Sequence, residues 1–311
     1  MSPKPRPIRP APAPPGAQPP LISARWLAIS IGSTIAAAAV CAWAALCLLF
    51  WQGSWQLLFH PAVTISRTPA AVGLSFETVS FDPNSSGQPQ LQGWWIPQAS
   101  NARATLLYLH GADGNLSSTV DTLPAFAASG LNIFVFDYRG YGESLHVDPS
   151  EDHWRQDAEG AITYLTATRH IPPSTLIIGG SKLGANLALQ IASLHPNLAG
   201  VFLDQPLANP MEPIFSDPRA RLVPAHALVF NRFDLNGPAS ELRIPALWIE
   251  LQPPVSAPPQ QEPAAYQLIT ARKMLLWLGP RQDSAHDFQA AFSRWLDDLI
   301  PRPATAPPAP Q

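Results

Sequence analysis

The sequence predicts an α/β protein, a mostly parallel sheet with helices on both faces, standing behind one N-terminal transmembrane helix. Two patterns carry that expectation. Short β-rich apolar runs alternate with helical periodicity through most of the chain, and no charged residue interrupts the stretch from Trp26 to Trp51. A third feature, a lysine held between glycines at 180–184, marks where chemistry would sit. The 311 residues, 46% of them hydrophobic, suffice for one sizeable core plus smaller appendages. A formal net charge of -3 gives no reason to expect a nucleic-acid partner. Both cysteines, Cys41 and Cys47, fall inside the apolar stretch, so the soluble part holds no disulfide framework, and no ligand spacing points to a metal or other cofactor.

As a helix, residues 26–51 are long enough to cross the roughly 30 Å hydrocarbon layer, with tryptophans at both ends to suit the interfaces. The apolar region of a cleaved signal peptide, about 7 to 15 residues, is shorter. Lys4, Arg6, Arg9 and Arg25 precede the stretch, and the first positive charge after it is Arg67. That bias leaves the N-terminus in the cytoplasm and the large domain on the far side, periplasmic if the source is bacterial. Proline and alanine dominate 2–20 and 301–311, a composition of extended, unpacked chain. The expected organisation is a disordered tail at 1–25, the membrane helix at 26–51, a folded domain at 54–300 and a second disordered tail at 301–311.

Within the domain, Thr78–Phe81 and Leu91–Ile96 form a strand pair around a turn at Asp82–Gly87. Thr105–Leu109, Ile133–Phe136, Thr175–Ile178, Gly200–Leu203, Ala246–Ile249 and Met274–Leu278 are apolar runs of the kind buried on both faces of a parallel sheet. Helical patterns at Gln156–Thr166, Gly184–Leu194 and Phe288–Ile300 separate or follow them. Such alternation argues for a mostly parallel sheet covered by helices on both sides.

Several motifs occur in a telling order: Gly93–Pro97 reads GWWIP, His110–Asn115 reads HGADGN, Asp137–Ser144 reads DYRGYGES, and Asp157–Glu159 opens a helix with DAE. With these the chain resembles the α/β-hydrolase superfamily, in its membrane-anchored, serine-aminopeptidase-like or "alpha/beta hydrolase domain-containing" branch, over residues 54–300. The resemblance implies a serine esterase or peptidase architecture, in which a hydroxyl nucleophile, a histidine base, a supporting acid and two backbone N–H donors act together.

By that resemblance, Ala112 after His110-Gly111 supplies one oxyanion donor, and the residue after the nucleophile supplies the other. His286, in Ser284–Phe288 after the last strand, stands where the family places its base. The nucleophile admits two registers. Gly179–Leu183 keeps Ser181 as nucleophile but puts leucine where the second glycine belongs. Gly180–Gly184 keeps both glycines, aligns the following Leu183–Leu189 without a gap, and places Lys182 at the tip, with Leu183 as the second donor. Sterics favour the latter. Only three lysines, Lys4, Lys182 and Lys273, occur in the chain, so lysine is not its default cation. A protonated ammonium does not attack a carbonyl, and an amine nucleophile would need a strongly lowered pKa.

The acid position is also altered. Where the family carries HGxxDxxVP after the strand ending at Ile249, this chain reads Glu250–Pro258, with Pro254 at or beside the acid and no carboxylate between Glu250 and Glu262. Asp204, at the end of the preceding strand, is the candidate to replace it, since some hydrolases of the family carry the acid there, with Glu250 as the lesser candidate. The expectation is thus a membrane-anchored pseudo-hydrolase or a derivative that binds a small acyl or anionic ligand through Lys182. The alternative is an active serine hydrolase of esters, thioesters or short peptides using Ser181, His286 and Asp204.

Overall fold

The computed structural model describes residues 23–83, 85–98, 102–252, 261–279 and 284–300. Two compact units divide it, Met1–Leu49 and Phe50–Gln311.

α1, Ala24–Gly53, is one continuous helix, of which the residues up to Leu49 belong to the first unit. Its apolar side chains, Ile35, Val40 and Leu49 among them, are exposed. A core helix of a soluble protein would bury them. This helix is long and apolar enough to cross a bilayer.

The second unit is built on an eight-stranded sheet. Its strands are β2 (Glu77–Pro83), β3 (Pro89–Ile96), β4 (Ala104–Leu109), β6 (Leu131–Asp137), β7 (Leu176–Ser181), β8 (Gly200–Asp204), β9 (Ala246–Leu251) and β10 (Lys273–Leu278), with β1 (His60–Pro61) and β5 (Asp113–Gly114) forming a separate two-residue parallel ladder. The spatial order is β10-β9-β8-β7-β4-β6-β3-β2. β3 runs antiparallel to both its neighbours and every other pairing is parallel. β4 is buried at every position because helices cover both its faces, which is why its sequence ATLLYL shows no polar alternation.

On one face α2 (Leu123–Ala128) and α9 (Ser284–Leu299) cover the sheet. Phe126, Phe292 and Trp295 pack there against Leu106, Tyr108, Ile177 and Phe202. On the other face lie α3 (Glu151–Thr163) and α4 (Leu183–Leu194). α4 is buried on nearly all sides, from Leu183 through Leu189 and on to Ala192, as a helix in the middle of such a layer must be. The segment between β8 and β9 holds the short helices α5 (Glu212–Phe215), α6 (Ala225–Leu228) and α7 (Asn236–Glu241), and α8 (Ala264–Leu268) precedes β10.

The expected strand pair and buried strands are all present, with two local differences. α3 begins at Glu151 rather than Gln156, because Ser150 caps it: its hydroxyl accepts the His153 N–H at 3.1 Å, and Glu151 and Asp152 occupy the first turn. Its far end widens into a π-turn at Tyr164–Thr168, which an apolar pattern does not register.

Candidate active site

β7 turns into α4 at Lys182, the residue held in the left-handed region with φ 51° and ψ -120°. A side chain other than glycine's rarely adopts that backbone, and it persists only where its surroundings impose it. They do so here. A Cβ at Gly180 would lie 2.5 Å from the Gly184 carbonyl oxygen, and one at Gly184 would lie 2.3 Å from that of Leu109 and 2.4 Å from that of His110. Strand and helix therefore touch backbone to backbone, and the side chain at the tip belongs to Lys182. Its amide donates to the Asp204 carbonyl at 2.8 Å, and its carbonyl accepts the Ala185 amide at 3.0 Å, which starts the helix.

Ser181 closes β7 in register with Asp204 and is half-buried. The buried Tyr108 hydroxyl has the Ser181 and Thr122 side chains as polar neighbours. Burial pushes the Tyr108 phenol well above its ordinary range and the Asp204 charge adds to this, so the tyrosine is a neutral partner. Lys182 instead is exposed, and its Cβ and Cδ pass 3.8 and 4.0 Å from where a side chain at Gly111 would begin. Ser181 thus sits beneath the turn, while the Lys182 stem lies across the loop after β4.

That loop is rigidly built. His110 is buried among Tyr138, Tyr141 and Trp154, its Nδ1 2.7 Å from the Gly111 carbonyl and its Nε2 3.4 Å from Asp137. Tyr138 and Tyr141 donate their hydroxyls to the carbonyls of His110 and Ala112, at 3.1 and 2.8 Å. From the other side the segment after α1 is stitched to it. His60 N–H donates to the Ala112 carbonyl, Ala62 N–H to that of Gly114, and the Asn115 amide to the carbonyls of Ala62 and Thr64. The Ala112 and Leu183 amides donate to no protein acceptor among the described residues. Both remain available to a ligand atom.

The carboxylates are less favourably placed for hydrolysis. Burial, the largest influence, raises the Asp204 carboxyl, while a Gln205 amide bond at 3.1 Å and the Lys182 charge pull it back. A triad acid must be ionised to hold its histidine, so this burial opposes the role. Glu250 accepts the Trp248 indole N–H at 2.8 Å and is likewise raised, by burial first and the Asp204 charge last. Pro254 lies outside the described residues. His286 lies in the first turn of α9, and its side chain is outside the described part of the structure. Two residues on, the Phe288 ring is 5.9 Å from those of Phe126 and Phe202, which starts α9 on the sheet face that carries Tyr108.

Beside the turn opens a cavity of about 490 Å³, reached by Lys182, Ala112 and Leu183. Its other polar groups include Asp113 and His60, paired at 2.8 Å, and Glu212. Among the described residues the Lys182 ammonium makes no ion pair within 4.0 Å, and no group of three metal-ligating side chains occurs. Nothing in the sequence pattern assigns His60, Asp113 or Tyr108 a part in the site. They reach it through the two-residue ladder between β1 and β5 and through sheet pairing, contacts between distant segments that local patterns do not encode.

The sequence model of the alpha/beta hydrolase family matches residues 106–309. "Uncharacterized protein YfhR" of Salmonella typhi is 37% identical over 117 residues, 36% of this chain and 39% of its own length. "Uncharacterized membrane protein YNL320W" of Saccharomyces cerevisiae is 30% identical over 139 residues, 44% of this chain and 48% of its own length. The matched parts thus span about half the length of these relatives or less. Among solved structures the Pyrococcus furiosus esterase Pf2001 superposes with a TM-score of 0.58 at 14% identity, covering 78% of this chain and 98% of that one, a likeness of fold. Strand order, the glycine-locked turn and the family match agree: the chain belongs to the alpha/beta hydrolase family.

Proposed function

We propose that this chain is a membrane-anchored, non-hydrolysing member of its family that binds a small acyl or anionic ligand in the cavity beside Lys182. One observation carries the reading: the side chain at the strained tip, where a nucleophile would stand, is an ammonium, with the hydroxyl of Ser181 one residue behind it facing Tyr108. A cation there cannot attack a carbonyl, yet it is suited to hold a carboxylate or phosphate. Ala112 and Leu183 line the same cavity, and their amides, which have no acceptor among the described residues, would add donors to a bound oxygen. A volume near 490 Å³ falls within the range of small-molecule sites. In this reading α1 anchors the protein with its N-terminus in the cytoplasm, and the domain works on the far side of the membrane.

The open Ala112 amide also suits a second reading, an active serine hydrolase using Ser181, His286 and Asp204, in which the second donor would be the Lys182 amide once released from the Asp204 carbonyl. Labelling by a fluorophosphonate and turnover of p-nitrophenyl esters separate the two. The non-hydrolysing reading expects neither from the parent chain, nor from Ser181→Ala or His286→Ala. Labelling and turnover by the parent that both substitutions abolish would establish the second reading instead.

A further inference from the structure

The cavity beside Lys182 holds two charges of opposite sign that are paired with nothing. Lys182 comes from the turn after β7, and Glu212, the first residue of α5, comes from the segment between β8 and β9. Neither forms an ion pair among the described residues, and the next cation after Glu212 in the chain, Arg219, is taken by Asp217 at 2.8 Å. The remaining charged groups of the lining are His60 and Asp113, 2.8 Å apart. That pair is neutral when His60 carries a second proton and singly negative when it does not. The charges around the cavity therefore cancel or leave one negative. A ligand that is only an anion gains at Lys182 and loses at Glu212, and a simple amine does the reverse.

The two ends also differ in hydrogen-bonding chemistry. Beside Lys182, whose stem lies across Gly111, the Ala112 and Leu183 amides have no protein acceptor among the described residues. An ammonium and two amides together suit the oxygens of a carboxylate. Around Glu212 the lining includes Pro210 and Pro213, which have no N–H to donate, so this end accepts rather than donates. Leu58 and Leu207 add apolar surface.

We infer that the ligand of this site is a small zwitterion, a free amino acid with an apolar body. Its carboxylate meets Lys182 and the two amides, and its ammonium meets Glu212. The inference rests on the ligand-binding reading proposed above and adds that an anion alone is the poorer ligand.

The test is a ligand-observed NMR titration of the full chain in an uncharged maltoside detergent. Leucine and 6-aminohexanoate are the two zwitterions, one with its charges adjacent and one with them apart, and the tighter of the two gives the spacing of the site. The controls are 4-methylpentanoate, which is leucine without its amine, and 3-methylbutylamine, which is leucine without its carboxylate. Because Lys182 and Glu212 are both exposed, the better zwitterion is expected to bind only about fivefold more tightly than either control. Glu212→Gln is expected to weaken the zwitterion by about the same factor and to tighten 4-methylpentanoate. Lys182→Met is expected to weaken the zwitterion and tighten 3-methylbutylamine. Opposite responses in one variant cannot come from a damaged fold, which would weaken every ligand. A parent that binds 4-methylpentanoate as tightly as the better zwitterion, with Glu212→Gln changing neither, overturns the zwitterion and leaves an anion site. No binding of the zwitterions, 4-methylpentanoate or inorganic phosphate removes both the zwitterion and the ligand-binding reading beneath it.

Discussion

At residue scale the chemistry turns on which of two adjacent side chains stands at the turn. Lys182 takes the left-handed backbone and Ser181 the last strand position, so their side chains diverge: one crosses Gly111, the other faces Tyr108. The sequence already carried the argument, since only the Gly180–Gly184 register leaves both close approaches to glycine. What it lacked was the environment of the acid. Burial raises the Asp204 carboxyl above its ordinary 3.8, so the folded chain holds that proton to higher pH than the unfolded chain does. From 3.8 up to the raised value the native state binds more protons, and this group's contribution makes stability fall as pH climbs. Asp204→Asn cannot ionise and is expected to fall less in stability over that window, as read from urea midpoints across the acidic range. Parallel curves for parent and variant would show that Asp204 titrates as an ordinary carboxylate.

At the scale of elements, the contact between β7 and α4 fixes the site, because a strand and a helix meet there with no side chain between them. Gly184→Ala would drive a methyl group into the carbonyls of Leu109 and His110. The expected cost is about 2 kcal/mol or more, with α4 forced away from the end of β4 beside which β7 makes its turn. A urea midpoint equal to the parent's would mean the turn is looser than the geometry requires. Element identity was legible in the sequence wherever burial is two-sided: β4, β6, β7, β8 and β9 are apolar runs because both their faces are covered. The start of α3 was not, since it depends on a cap at Ser150 rather than on an apolar stripe. Nor was the ladder from His60–Pro61 to Asp113–Gly114, whose partners are more than fifty residues apart and too short to leave a pattern. Because that ladder carries His60 to the cavity, its pairing there with Asp113 left no trace in the sequence.

At the scale of the whole molecule, the family match and the sheet order establish the fold, and α1 adds a helix that satisfies its own backbone in lipid. Integral membrane attachment follows as an expectation: the full chain should stay in the pellet on alkaline carbonate extraction, and a chain lacking residues 1–49 should move to the supernatant. Release of the full chain would remove the anchor from the account. The central claim is narrower, that the turn of this hydrolase fold holds a cation where a nucleophile would act. The most direct measurement is intact-mass spectrometry after fluorophosphonate treatment of the parent, Ser181→Ala and Lys182→Ser. No adduct is expected on the parent or on Ser181→Ala, and one adduct is expected at position 182 in Lys182→Ser; an adduct on the parent that maps to Ser181 would overturn the non-hydrolysing reading.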